Sequence, residues 1–248
     1  MTRRKLHLIM PMGGKGSRFS KNGFVIPKPL IEIQGKPFLY WSVRSIEKYV
    51  DLCDISFVVL KQHIEEYQID AIIRKDFPQA DIISVDFADV QDGPVMTCLA
   101  GLRNITDDNP VLFNDCDHMF RCTTFNEDAN DGVFDYDGAL LTFTSDQPQF
   151  SYIRYENGAI VGTVEKEVVS NHAICGAYVV KNAELFKSMA EEYYSVCSYK
   201  EFYVSGVYNV MCARGLKVKN YLTDFHVPFG TPEEYEAAKD SPYFEELK

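Results

Sequence analysis

A short apolar run, Leu6-His-Leu-Ile-Met10, passes directly into Pro11-Met12-Gly13-Gly14-Lys15-Gly16-Ser17-Arg18-Phe19, and Pro27-Lys28-Pro29-Leu30 follows. A strand that ends in closely spaced glycines can turn several backbone N–H groups toward one point, because glycine reaches φ values closed to other residues. Such a nest, flanked by Lys15 and Arg18, suits a group that carries several negative charges. Lys28 adds a further cation, and the prolines on either side restrict where it points. The ligand that fits this arrangement is the polyphosphate of a nucleotide.

Two familiar glycine loops do not fit. A P-loop requires G-x-x-x-x-G-K-[ST], whereas Gly16 is followed by Ser17 and Arg18. A dinucleotide fingerprint requires G-x-G-x-x-G; Gly14 and Gly16 match its first two positions, but Phe19 takes the third. What the chain does contain is G-x-G-x-R-F, then P-K-P-L, then G-K-P at Gly35-Lys36-Pro37. This ordered set resembles the sugar-1-phosphate nucleotidyltransferase family, the pyrophosphorylase-like enzymes that make nucleoside-diphosphate sugars, with compact phosphocholine cytidylyltransferase-like members. The resemblance runs from Leu6 to about Glu236.

Composition narrows the setting. The 248 residues carry a formal charge of −11, which argues against broad nucleic-acid binding and makes the cations near the glycine loop stand out. Seven cysteines are scattered without a C-x-x-C pair, as expected for reduced thiols in a cytoplasmic protein. Arg3-Arg4-Lys5 precedes an apolar run too short for a signal peptide, and nothing approaches the roughly 18 apolar residues of a membrane span.

Strand and helix signals alternate through the first half: strands at Ile55–Leu60, Ile82–Phe87 and Val111–Phe113, helices over Pro37–Tyr49, Ile64–Phe77 and Pro94–Leu102. This alternation predicts an α/β fold with a doubly wound, mostly parallel, Rossmann-like sheet. The second half is richer in strands: Gly138–Thr144, a hairpin turning at Asn157-Gly158, Ala173–Val180 and Lys217–Leu222. Asn182 is placed to cap a helix to Tyr194, and further helices are expected over about 202–213 and 232–239. We therefore expect a single domain over 1–248, with a nucleotide-binding half to about residue 120 and a strand-rich acceptor-binding lobe beyond it.

Asp115 and Asp117 follow a strand, and two carboxylates one residue apart can hold Mg²⁺ against a phosphate. The family resemblance implies Asp117 as the principal metal ligand, with Asp115 in support. It also implies a nucleotide site at Met12, Gly13, Gly14, Lys15, Gly16, Ser17 and Arg18, with the Gly93-Pro94 turn against the base. Lys166 of Glu165-Lys166 is implied to meet the acceptor phosphate, and Gly176-Ala-Tyr178 to wall the acceptor pocket. Gly230-Thr-Pro-Glu233 matches the family's G-T-P-E, but Pro228 stands where many members have a second metal-binding aspartate. Asp224 is a candidate replacement.

Trp41 falls on the apolar face of its helix and is expected in the core. His63, His118 and His172 have no partner at catalytic or metal spacing; His118 beside Asp117 and His172 before the Ala173 strand could line the site, but core or solvent roles are expected. The segment Tyr193-Tyr194…Tyr199-Lys-Glu201-Phe-Tyr203 could clothe an acceptor pocket or a dimer contact. The implied reaction joins an NTP (CTP, dTTP, UTP or GTP) to a phosphorylated small-molecule acceptor. A sugar 1-phosphate destined for surface glycan assembly is the expected acceptor. Arg18, Lys28 and Lys166 are the catalytic cations, Mg²⁺ is the cofactor, and a homo-oligomer is possible. Alternatives are a cytidylyltransferase for phosphocholine or another non-sugar phosphate, a glycosyltransferase using Asp115-Cys-Asp117 as a D-x-D motif, and a non-catalytic nucleotide binder.

Overall fold

A computed structural model describes residues 3–248. Its frame is a nine-stranded sheet of β1 (Leu6–Met12), β2 (Leu52–Leu60), β3 (Asp81–Val85), β4 (Val111–Asn114), β5 (Gly138–Thr144), β6 (Ser151–Glu156), β7 (Ala159–Glu165), β8 (His172–Val180) and β9 (Val218–Leu222). The strands run β7-β6-β8-β4-β1-β2-β3 across the sheet, with β5 also on β8 and β9 beside β5. Pairings of β1 with β2 and β4, and of β2 with β3, are parallel. From β8 onward the pairing of β8 with β4, β5 and β6 is antiparallel, as is the β6–β7 hairpin.

Alternation along β1 and β2 explains why helices cover both faces. Leu6, Leu8 and Met10 of β1 and Phe57 and Val59 of β2 point into one core, with Leu39 and Val43 from the helix Phe38–Glu47. Ile9 and Val58 point the other way, toward Cys98 of Pro94–Gly101, Phe186 of Ala183–Val196 and Val207 of Val204–Ala213. A strand with both faces buried reads as a continuous apolar run, as Leu6–Met10 does. A third cluster of Phe19, Phe38, Trp41, Phe229 and Phe244 lies beneath the glycine loop and joins it to the C-terminal segments. Trp41 is fully buried there and donates its indole N–H to the Ile33 carbonyl at 2.8 Å.

Several expectations are revised. The helix expected over Ile64–Phe77 is two, Lys61–Tyr67 and Ile69–Asp76, because Gln68 takes a left-handed conformation (φ 53°) between them. A helix at Thr123–Asp131 carried too few apolar residues to read by periodicity. The ribbon of His118–Arg121 with Phe225–Pro228 consists of strands only four residues long. Asn182 does cap its helix, accepting from the Leu185 amide at 2.9 Å, and all seven cysteines are free thiols. Among the described residues no helix is long and apolar enough to cross a membrane.

At the amino end of β1, His7 is buried between two carboxylates. Its Nδ1 lies 2.9 Å from Asp54 and its Nε2 2.9 Å from Asp107, so both ring nitrogens donate only if the ring is protonated. Burial by itself would lower the imidazole pKa, but the two carboxylates outweigh it and raise it above 6.5. A proton held more tightly in the folded chain stabilises it fully below about pH 6.5, and that contribution is lost as pH rises through the elevated folded value. We expect the urea midpoint to fall as pH is raised above 6.5, and the fall to be shallower in Asp54→Asn/Asp107→Asn. Equal slopes in the two proteins would remove His7 as its source.

Candidate active site

Parallel pairing of β1 with β4 (His7 opposite Val111, Ile9 opposite Phe113) sets their carboxyl ends side by side. The glycine loop leaves β1 and Asp115-Cys-Asp117 leaves β4 at the same edge, where ligands of open α/β sheets sit. Gly16 turns left-handed (φ 59°) and starts a one-turn helix, Ser17–Ser20, which ends the loop. A 3-10 turn, Lys28–Leu30, then brings Lys28 back over the loop, where its Nζ donates to Asp117 Oδ2 at 2.7 Å. Lys28, folded back over the glycine loop, and the candidate metal carboxylate are therefore in direct contact.

Three adjoining cavities make up the cleft. The first, about 410 Å³, is lined by Met12 through Ser17 and by Lys28, Gln91, Gly93 and Thr97. Asp115 and Asp117 form its inner wall and are shared with a second cavity that extends past them. That inner cavity, about 160 Å³, is walled by His118, Gly176, His226, Pro228 and Glu234. A third, about 340 Å³, opens beside both and holds Glu165, Lys166, Tyr178, Glu201 and Tyr203. Asp115 lines all three.

Placement of Arg18 differs from expectation. It lines the second and third cavities with Gln149 and Ser151, on the far side of Asp117 from the glycine nest. Gly16 turns left-handed and starts the helix Ser17–Ser20, so Arg18 belongs to that helix rather than to the glycine nest. Lys15 does border the first cavity, and its Nζ stands 4.0 Å from the Phe87 ring centroid in a cation–π contact. Lys166 has a left-handed backbone (φ 57°) and donates to the Tyr203 hydroxyl at 3.0 Å. Glu165 borders the third cavity, but its carboxylate accepts from the Ser151 hydroxyl at 2.6 Å and from the Ser205 hydroxyl, which makes it a strand tie.

Asp224 is not part of the cleft. It sits at the start of the ribbon strand, whose other end is Pro228, and accepts from the Arg121 guanidinium at 2.9 Å and the Thr123 hydroxyl at 2.6 Å. Pro228 itself walls the second cavity, so an apolar ring rather than a carboxylate faces it at that position. Glu234 lies in the same wall but spends its carboxylate on the amides of Gly230 and Thr231, closing a capping box. Burial and then the nearby Asp117 charge raise its carboxyl pKa.

The two carboxylates of the junction differ in character. Burial alone would raise the Asp117 pKa, but the Lys28 ammonium holds it below the ordinary value. Asp115 accepts no side-chain or backbone hydrogen bond among the described residues, and burial together with Asp117 pushes its carboxyl up to about 7. A partly buried carboxylate that no hydrogen bond satisfies and that Lys28 only partly offsets fits a hard divalent cation, which takes oxygen ligands. Among the described residues no cluster of three or more His, Cys, Asp or Glu side chains suits a metal, so Asp115 and Asp117 would leave most positions to water and phosphate oxygens. Magnesium is commonly held this way.

His118 is buried, with Nε2 3.1 Å from Asn114 Oδ1, and it also faces the second cavity, beyond the core or solvent role expected of it. His172 lies 3.1 Å from the Asn220 amide, a structural tie. Of the tyrosine-rich segment, Tyr203 lines the third cavity, whereas Tyr193 is buried and Tyr194 stacks outside on Phe202 at 4.4 Å. Gln149, Ser151 and His226 line the cleft without any motif to mark them. Glu234 had a legible signal in its T-x-x-E capping pattern, though not for a cavity wall.

Residues 9–149 match the MobA-like NTP transferase domain, and the chain belongs to that family. Among curated relatives, a bifunctional protein GlmU from Methanococcus maripaludis is 29% identical over 182 residues, which are 71% of this chain and 40% of that protein. Glucose-1-phosphate cytidylyltransferase from Salmonella typhimurium is 37% identical over 64 residues, 24% of this chain and 25% of that one. The chain thus spans well under half the length of these relatives. A nucleoside-diphosphate-sugar pyrophosphorylase from Vibrio cholerae has the same fold, with a TM-score of 0.78 at 21% identity over 94% of this chain and 100% of that one.

Gly176, in the wall of the second cavity, packs against Asp115. The Asp115 amide donates to its carbonyl at 2.9 Å, and a Cβ built on it would stand 2.8 Å from Asp115 Oδ2 at a φ of 93°. Gly176→Ala should therefore cost about 1–3 kcal/mol in urea unfolding. Asp115→Ala in the same chain should recover the part due to the collision. An unchanged midpoint in the single variant would contradict this packing.

Proposed function

We propose that the chain transfers a nucleotidyl group from an NTP to a phosphorylated small-molecule acceptor of the sugar-phosphate class, releasing pyrophosphate. The observation that carries this reading is the 2.7 Å contact of Lys28 with Asp117, where the glycine-loop cavity meets the cavities that hold Arg18 and Lys166. A single-substrate binder has no need of two cation-lined spaces that share one carboxylate wall.

The chemistry follows from placement. An acceptor phosphate is mostly dianionic near neutral pH, with a second pKa of about 6, so its oxygen attacks the α-phosphorus without a general base. The new P–O bond forms as the bond to the β-phosphate bridging oxygen breaks, and pyrophosphate leaves with that electron pair. Arg18 and Lys166 orient the incoming phosphate from the acceptor side. Lys28, released from Asp117 by the arriving polyanion, and the amides of Gly13–Ser17 steady the leaving charge. Mg²⁺ on Asp117 and Asp115 would supply charge neutralisation between the phosphates. Alignment and electrostatic stabilisation of this kind account for most catalysis of phosphoryl-group transfer.

A sugar phosphate is favoured over phosphocholine by the cavity walls. A quaternary ammonium is held by a cage of aromatic faces, whereas the third cavity has two, Tyr178 and Tyr203, with the cations Arg18 and Lys166 beside them. Relatives acting on glucose 1-phosphate, by their names, point the same way.

Incubating the protein and Mg²⁺ with CTP, UTP, GTP, ATP or dTTP and a panel of phosphorylated sugars and phosphocholine should release pyrophosphate only when an acceptor is present. Sugar transfer from a nucleotide sugar would favour a glycosyltransferase, and binding without turnover a non-catalytic relative. Lys28→Ala should lower kcat by about two to three orders of magnitude, as loss of one preorganised charge at a transferring group does. Asp117→Ala should lose activity without recovery at high Mg²⁺. Near-normal pyrophosphate release from either variant would overturn these roles.

A further inference from the structure

Residues 199–203 touch both halves of the cleft. The Phe202 amide donates to the Asp92 carbonyl at 2.9 Å, and its own carbonyl accepts from the Val95 amide at 3.1 Å. Gly93 lies between these two bonds, so close that a Cβ on it would stand 2.5 Å from the Phe202 nitrogen. On the other side, the Glu165 amide donates to the Tyr199 hydroxyl at 3.3 Å and the Lys166 ammonium to the Tyr203 hydroxyl at 3.0 Å. Backbone pairing to the base-side turn and hydroxyl contacts to the acceptor-side lysine therefore fix this segment at both ends. Glu201, in the middle, is exposed and lines the glycine-loop cavity and the Lys166 cavity alike.

Four carboxylates border those two cavities, and three are accounted for. Asp117 pairs with Lys28, Glu165 takes two serine hydroxyls, and Asp115 stands at the position suited to a cation. The backbone carbonyl of Glu201 accepts from the Tyr203 amide at 3.1 Å, but its carboxylate has no hydrogen-bond or ion-pair partner among the described residues. A bare carboxylate in a cleft built for polyanions weakens phosphate binding through like-charge repulsion, so its presence there calls for a different partner. The strongest neutral partner of a carboxylate is a hydroxyl donor, and two adjacent hydroxyls can engage both oxygens at once.

We propose that Glu201 is a specificity-determining residue that accepts hydrogen bonds from substrate hydroxyls, those of the nucleotide ribose or of the acceptor. The inference rests on the reading of these cavities as nucleotide and acceptor sites. Its position where the two cavities adjoin lets it select for hydroxylated partners while the cations hold the phosphates. A phosphorylated acceptor without hydroxyls gains nothing from it.

Calorimetric titration separates the two sources. CTP, UTP, GTP and ATP, each beside its 2′-deoxy form, and glucose 1-phosphate beside its 2-deoxy and 3-deoxy forms are titrated with Mg²⁺ into the wild-type chain, Glu201→Gln and Glu201→Ala. A hydrogen bond to a charged group corresponds to roughly a tenfold to hundredfold change in Kd. Such a loss confined to the ribonucleotides, with the 2′-deoxy forms unaffected, assigns Glu201 to the ribose. The same loss for glucose 1-phosphate, absent for a deoxy form, assigns it to the acceptor. No change, or an equal change across hydroxylated and deoxy ligands, overturns the proposal and leaves only a charge effect. Wild-type chain that binds none of these ligands overturns it as well. Selective binding by Glu201 without acceptor-dependent pyrophosphate release would instead defeat the proposed reaction and leave this residue's role standing.

Discussion

Lys28 and Asp117 hold the cleft in its working shape across a distance of 2.7 Å. Both are only partly exposed, and burial works against either charge alone. Their mutual attraction raises the lysine pKa and lowers that of the carboxyl, so each keeps the other ionised. A pair of this kind contributes little net stability, because desolvation offsets most of the Coulomb gain. Its value lies in readiness: an arriving polyphosphate can take the ammonium, and an arriving cation the carboxylate, with no further burial of charge.

Everything that brings the pair together was partly legible beforehand. The apolar run into Gly13–Gly16, the Pro27-Lys28-Pro29 bracket and the acidic stretch after Phe113 are local patterns, and parallel βα topology places strand ends together by rule. Less legible were contacts that depend on where distant segments return. Arg18 was read with the loop that contains it, yet it follows the turn at Gly16 and lines the second and third cavities. Asp224 was plausible by sequence distance alone, but the ribbon of Phe225–Pro228 with His118–Arg121 spaces it away, and Arg121 and Thr123 take its carboxylate. His226 and Gln149 follow no motif, and only the tertiary fold brings them to the cavity.

Pro228 puts an apolar ring in the wall of the second cavity, and the carboxylates around it differ in how far they are already engaged. Asp115 is the neighbour left without a hydrogen-bond partner, and burial and Asp117 raise its pKa to about 7. Glu234, the other carboxylate in that wall, already satisfies the Gly230 and Thr231 amides and cannot move without breaking its helix cap. A divalent cation at this junction would therefore rest on Asp115 and Asp117 alone and keep much of its water shell.

Charge distribution completes the picture. A chain with a formal charge of −11 repels polyanions at long range, so capture has to be local. Lys15, Lys28, Arg18 and Lys166 provide that, one pair facing the glycine-loop cavity and the other the acceptor cavities. Divalent cations feel the opposite long-range field, and an overall negative surface raises their concentration near the cleft. Phosphates that arrive with a metal already bound meet less of the repulsion than bare ones do. A nucleotide that carried a metal would therefore meet less long-range repulsion than a free anion, and these four cations would hold its phosphates locally.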